Sequence, residues 1–270
     1  VRKGKPMRFP EAGWSSWHSY DRKITEKSFL TSADFINKNL KEYGWKTIQI
    51  DGGWWTEPGL YSVNDVAFPN GIRYLSDYVN KLGLDFGLHV SPLRTNPKDP
   101  ISSKRPDWIL KPKYNKKIAK GDDEMATTVG TVYVDGSHPE VPAFSAARYQ
   151  QSVEGYRPSF MKWDHTYGGL EEGVRFDSTM TFMQAHNKTI RAIRSALPDD
   201  LIVTRSMGYV FGALECYDAI RIGNDINHPG YKSEAEPFTN ITYGKTLGTI
   251  EEERVEKGLI RFARAVAQNY

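Results

Sequence analysis

The sequence predicts an α/β fold, a (β/α)8 barrel of which about six strands lie in this chain, and three observations lead there. Short β-rich runs alternate with longer stretches of helical spacing, which calls for parallel strands joined by right-handed crossovers. Nearly every run ends in a polar or charged side chain, as expected where strand ends deliver groups to one central mouth. No glycine-rich phosphate loop is present to mark the switch point of an open, doubly wound sheet.

The first candidate strand, Ala12 to Trp17, ends at Trp17-His18 and is followed by a helix from Thr25 to Tyr43 that closes before Gly44. The second, Thr47 to Asp51, ends in a carboxylate, and the helix after it runs from Ile72 to Leu82 and closes before Gly83. Phe86 to Ser91 presents His89 and Ser91 at its end; Phe160 to Asp164, Leu201 to Arg205 and Ala219 to Asp225 end in Asp164, Arg205-Ser206 and Asp225. Between the third and fourth strands, Lys111 to Lys117 and Gly121 to Glu124 make a charged insertion, read as a solvated loop overhanging the mouth unless strands are hidden in 92–159. Glu251 to Tyr270 reads as the helix after the sixth strand. Six strands are two short of closure, so the expected division is a lead-in over 1–11 and an incomplete barrel over 12–270.

A chain of 270 residues with 39% hydrophobic content suits one large core. With 36 basic and 33 acidic side chains the net charge is only +3, which excludes a field that gathers nucleic acid or an anionic membrane and points to a neutral partner. Seven Trp and fifteen Tyr supply flat rings able to grip the apolar face of a sugar, although core packing uses them too. The single cysteine, Cys216, excludes an internal disulfide and leans towards a bacterial protein. No apolar run reaches the ~20 residues of a membrane span and no signal-peptide core is seen; the expected location is periplasmic or secreted if a leader was removed, and cytoplasmic otherwise.

Two segments carry chemistry. In Met161-Lys162-Trp163-Asp164, strand alternation sends Lys162 and Asp164 into the barrel and Met161 and Trp163 towards the helices, and an ammonium beside a carboxylate keeps it ionised. A buried ion pair holding the strand is the alternative. In Arg221-Ile222-Gly223-Asn224-Asp225, Arg221 and Asp225 share a face with Gly223 between them, leaving room for a ligand. Two inward carboxylates could flank a glycosidic bond, one attacking the anomeric carbon and one protonating the leaving oxygen. His18, His89, His165 and His228 raise a metal reading, but a pair of His one residue apart on the first strand is missing, so no metal is expected.

Together, Gly13-Trp14-Ser15-Ser16-Trp17, Ile50-Asp51-Gly52-Gly53-Trp54, Phe68-Pro69-Asn70-Gly71-Ile72 and Lys81-Leu82-Gly83-Leu84 resemble the α-galactosidases of glycoside hydrolase family 27, with family 36 a close relative. The resemblance runs from about Ala12 to Ile226. It implies a (β/α)8 barrel, a retaining two-step mechanism and no cofactor, with Asp164 as nucleophile and Asp225 as general acid/base. It implies that the remaining strands and a C-terminal β-sandwich lie beyond Tyr270. It also places Trp17, Asp51, Lys162, Arg205 and Arg221 around the sugar ring; Trp54, from the second motif, and His89, as a hydrogen-bonding contact, join them.

Two departures bear on these expectations. Gly52 stands where these enzymes usually carry a second Asp that grips sugar hydroxyls, and His165-Thr166 stands where eukaryotic members carry a Cys. The first opens the choice of sugar. The expected function is a retaining exo-hydrolase of terminal α-galactosides or a closely related sugar. A β-L-arabinopyranosidase, an α-N-acetylgalactosaminidase, a transglycosidase or a catalytically dead carbohydrate-binding barrel are the alternatives. The expected partner is an oligosaccharide or glycoside, with no nucleic acid and no membrane.

Overall fold

In the computed structural model, residues 12–112, 132–166, 173–206 and 212–221 are described. Their strands, in chain order, are β1 (Ala12–Ser15), β2 (Trp45–Ile50), β3 (Asp85–Val90), β4 (Arg94–Thr95), β5 (Lys111–Pro112), β6 (Val132–Tyr133), β7 (Phe160–Trp163), β8 (Gly173–Val174), β9 (Ile202–Arg205) and β10 (Ala219–Ile220). Six of them form one all-parallel sheet in the order β1-β2-β3-β7-β9-β10, each longer strand within about two residues of its predicted bounds. Sequential neighbours paired in parallel are the curved wall of a (β/α) barrel. The rest of the sixth predicted strand, up to Asp225, lies outside the described residues.

The helices are α1 (Trp17–Tyr20), α2 (Glu26–Asn39), α3 (Gly71–Lys81), α4 (Pro100–Lys104), α5 (Val141–Tyr156) and α6 (Phe182–Ser195). Thr25 caps α2: its side chain accepts from the Ser28 N–H while the Ser28 hydroxyl accepts from the Thr25 N–H. Phe29, Ala33 and Ile36 then fall on one buried face. In α3 the buried Ile72, Leu75 and Val79 keep the same spacing. Thr181 and Gln184 repeat the capping box at α6.

The register sorts the sheet into two faces. Ile48 pairs with Phe86, Ile50 with Leu88, Leu88 with Met161 and Met161 with Val203, so these apolar side chains lie in rows under the helices. Phe29 of α2 meets Phe86 edge-on at 6.0 Å. The residues between them, Gln49, His89, Lys162 and Thr204, form the opposite, polar face, which Ser15, Asp51 and Asp164 extend. This is the arrangement alternation predicts for Lys162 and Asp164.

The stretch 92–159 departs from a plain solvated loop. It contributes no strand to the parallel wall among its described residues, but α5 fills its end, and β4 pairs antiparallel with β6 just beyond β3. A second short pair, β5 with β8, ties the insertion to the segment after β7. The charged runs at 113–117 and 121–124 lie outside the described residues.

Candidate active site

Asp51 follows β2 directly, and its own N–H donates to Ser16 Oγ at 2.9 Å, which docks the end of β2 against the end of β1. Its carboxylate is enclosed by donors. Oδ2 accepts from Gln49 Nε2 at 2.7 Å, Lys162 Nζ at 3.0 Å and Ser15 Oγ at 3.3 Å, and Oδ1 accepts from the Gly52 N–H at 2.8 Å. The chain then turns sharply at Gly53, whose φ of 103° brings it against the Arg22 carbonyl, where a Cβ would come within 2.7 Å of oxygen.

Asp164 follows β7, and its backbone N–H still donates to Val90 O at 2.8 Å, so the sheet ladder holds it. Its Oδ2 accepts from His89 Nε2 at 3.1 Å and lies 3.5 Å from Lys162 Nζ. His165 adopts a left-handed φ of 50°, rare for a side-chain-bearing residue, and its N–H donates to Asp164 Oδ1 at 2.9 Å.

Both carboxylates are buried, which by itself raises their pKa. For Asp51 that effect is more than offset by Lys162 and His89, which leave the carboxyl at about 2. For Asp164 burial is likewise outweighed by Lys162, by the His89 hydrogen bond and by His165, which hold it well below the ordinary carboxylate range. Two ionised carboxylates thus share one ammonium in a site that largely excludes water.

A pocket opens over this polar face. Asp51, His89, Lys162 and Asp164 line it, as does Trp17 at the start of α1. Gly52 lies beneath two indoles: a Cβ there would come within 3.1 Å of the Trp17 ring and 3.7 Å of Trp55. Trp55 stacks on His89 with centroids 5.1 Å apart.

Two expected contacts are corrected. Trp54 is fully buried and donates its indole N–H to the His89 carbonyl at 2.9 Å; Trp55, its neighbour, lines the pocket instead. Arg205 pairs in register with Trp163, which puts it on the helix-facing side of the sheet, away from Lys162. Its guanidinium lies over the Tyr217 ring at 5.1 Å and donates to Gly212 O. The apolar Val203 two residues earlier carries the signal for that face. Arg221 falls on the polar side: Ala219 pairs with Thr204, and Arg221, two residues on, shares its face. Asp225 lies outside the described residues. Arg94, Pro58 and Trp55 are pocket residues that the sequence reading missed.

The family model described as Melibiase matches residues 25–196, well over half of the chain. This chain belongs to the melibiase family. A probable α-galactosidase from Dictyostelium discoideum is 33% identical to it over 86 residues, 30% of this chain and 22% of that protein. The α-galactosidase AgaA from Geobacillus stearothermophilus is 28% identical over 136 residues, 48% of this chain and 18% of that protein. The melibiase chain thus aligns with only about a fifth of the length of the curated relatives it matches. Among solved structures, the Thermus thermophilus α-galactosidase in complex with p-nitrophenyl α-D-galactopyranoside superposes with a TM-score of 0.67 at 24% identity, covering 80% of this chain and 42% of that one. A family 36 α-galactosidase from Geobacillus stearothermophilus in complex with raffinose does so with a TM-score of 0.67 at 16% identity, covering 99% and 44%. At these identities the superpositions establish the barrel fold.

Proposed function

We propose that this melibiase-family chain carries the nucleophile side of a retaining glycoside hydrolase active site, acting on terminal α-galactosides or a closely related sugar. The observation that carries the reading is Asp164: a buried carboxylate at a strand end, kept ionised by Lys162 and His89, in a pocket walled by Trp17 and Trp55. An ionised, positioned carboxylate is the nucleophile that a two-step displacement requires. In the first step Asp164 attacks the anomeric carbon, the glycosidic bond breaks, and Asp225 delivers a proton to the departing oxygen. In the second, Asp225 takes a proton from water, whose oxygen displaces Asp164 and restores the configuration.

The His89 Nε2–H donates to the Asp164 Oδ2, and Lys162 balances the negative charge that returns to Asp164 as the intermediate breaks down. Asp51 has room for a sugar hydroxyl only alongside the donors it already holds, so it positions Lys162 as well as meeting the ring. The Gly52 wall of indoles, in place of a second carboxylate, supports a substrate other than plain galactose, such as a β-L-arabinopyranoside. The test is a panel of nitrophenyl glycosides: α-galactoside, α-N-acetylgalactosaminide, α-glucoside and β-L-arabinopyranoside. Release of nitrophenol from one of the first, second or fourth, with retained configuration by NMR, is the expected result; inverted product or no turnover of any overturns it.

A further inference from the structure

Arg94 stands in the wall of the same pocket and is only 4% exposed, yet its Nε and Nη2 are buried without a hydrogen-bond partner. Among the described residues no carboxylate oxygen lies within 4.0 Å of it, because the two pocket carboxylates are engaged elsewhere: Asp51 with Lys162 at 3.0 Å and Asp164 with His89 at 3.1 Å. A guanidinium cannot shed its proton to escape such burial, and an uncompensated buried cation is strongly unfavourable. Its backbone is held in place. The Arg94 N–H donates to Ser91 O at 3.1 Å, β4 pairs Arg94 with Tyr133, and the Val134 N–H donates to Leu93 O at 3.0 Å. A cation fixed in a pocket wall with donors to spare is a binding group whose acceptor comes from the ligand.

We infer that Arg94 binds an anionic substituent, a carboxylate or a sulfate ester, on the sugar whose anomeric carbon meets Asp164. The inference rests on the glycosidase reading above and names its substrate class. Nε and Nη2 share one edge of the planar guanidinium, so their N–H groups run parallel and match two oxygens of one anion. A hydroxyl offers one oxygen and no charge, leaving a donor unmet. Among the described residues Arg22 and Lys162 line the same wall with Asp51 and Asp164, and Gly52 brings no second carboxylate beside Asp51.

The experiment compares the natural full-length protein with Arg94→Met and Arg94→Lys on nitrophenyl α-galactoside, its 6-sulfate and the corresponding α-galacturonide. The expected wild-type result is a kcat/KM for the sulfate or the uronide at least tenfold above that for the neutral sugar, and whichever is favoured identifies the anion. Arg94→Met should lower the anionic-to-neutral ratio by about 10- to 100-fold, the scale of a charge-assisted bidentate contact, and Arg94→Lys by less because its ammonium lacks the fork. Calorimetric binding of free galacturonate, galactose 6-sulfate and galactose gives a second readout that needs no turnover: one of the two anions should bind at least tenfold more tightly than galactose, and Arg94→Met should erase the difference. Thermal melting of the variant verifies that it is folded. Turnover of the neutral sugar with no anionic preference in rate or binding overturns this inference and leaves the glycosidase reading standing. A folded wild-type protein that binds an anion through Arg94 but cleaves no glycoside overturns the glycosidase reading and leaves the anion site standing.

Discussion

Lys162 Nζ lies 3.0 Å from Asp51 Oδ2, a carboxylate 111 residues earlier in the chain, and the same ammonium lies 3.5 Å from Asp164 Oδ2. One cation therefore serves two buried anions at the ends of β2 and β7, the strands on either side of β3. Replacing it by a side chain of similar length, Lys162→Met, leaves both carboxylates buried with His89 as the main remaining partner. The cost of breaking such a pair from one side is about 3–5 kcal/mol, read as a loss of unfolding free energy in urea. In whatever activity remains, the acid limb of the kcat/KM profile should move to higher pH, since Lys162 leads the groups that hold Asp164 low. A profile whose acid limb does not move would contradict the role assigned to Lys162.

The Asp51 carboxyl sets a second expectation, for stability against pH. Its folded pKa of about 2 lies below the ordinary value of 3.8, so the folded state binds fewer protons there than the unfolded one. The contribution is fully present above pH 4 and is lost as pH falls towards 2. At roughly 1.4 kcal/mol per unit it amounts to something on the order of 2 kcal/mol. Urea titrations at pH 6, 4 and 2 should show wild-type stability falling more steeply than that of Asp51→Asn across this interval; equal slopes would count against it.

Much of the fold was legible because parallel strands in an α/β chain announce themselves by apolar runs that end in polar groups. Phe160 to Asp164 and Thr47 to Asp51 were found within two residues of their observed bounds for that reason. Period-two alternation also sent Lys162 and Asp164 to one face. The same rule, applied through Val203, puts Arg205 on the helix side, which its place at a strand end had obscured. Trp54 and Trp55 were not separable by pattern, since they follow the strand in a turn where alternation no longer holds; only the bond from Trp54 to the His89 carbonyl decides between them. Arg94 escaped because it lies beyond β3 in a stretch rich in charge, and its burial comes from the pairing of β4 with β6, residues nearly forty positions apart.

Gly52 yields a third expectation. The indole of Trp17 stands 3.1 Å from where a Cβ would be, tighter than ordinary contact, so a side chain enters only if the ring moves. Gly52→Ala and Gly52→Asp should each cost about 1–3 kcal/mol, measured by denaturant unfolding, as overpacked sites do. Neither should raise kcat/KM on α-galactosides, because a displaced Trp17 offsets any new grip on a hydroxyl. A gain in activity with unchanged stability would show that the wall yields freely.

The fourth expectation separates the roles proposed for Asp164 and Asp225. Asp164→Ala removes the group that attacks the anomeric carbon, so no covalent intermediate forms and turnover should fall by several orders of magnitude for every leaving group, aryl or sugar. Asp225→Ala leaves the nucleophile intact. A nitrophenolate departs without a proton, so the first step should survive for an aryl glycoside while a sugar leaving group, which needs the acid, is released far more slowly. The second step still requires a base to activate water. The glycosyl-enzyme should therefore accumulate and be seen by mass spectrometry as an adduct on the peptide carrying Asp164. Azide is a nucleophile that needs no base: it should speed turnover of the Asp225→Ala protein and give a glycosyl azide of the same anomeric configuration as the substrate, since two inversions still occur. Should Asp225→Ala slow aryl and natural substrates alike, with no adduct on Asp164 and no response to azide, the two carboxylates do not divide the chemistry in this way.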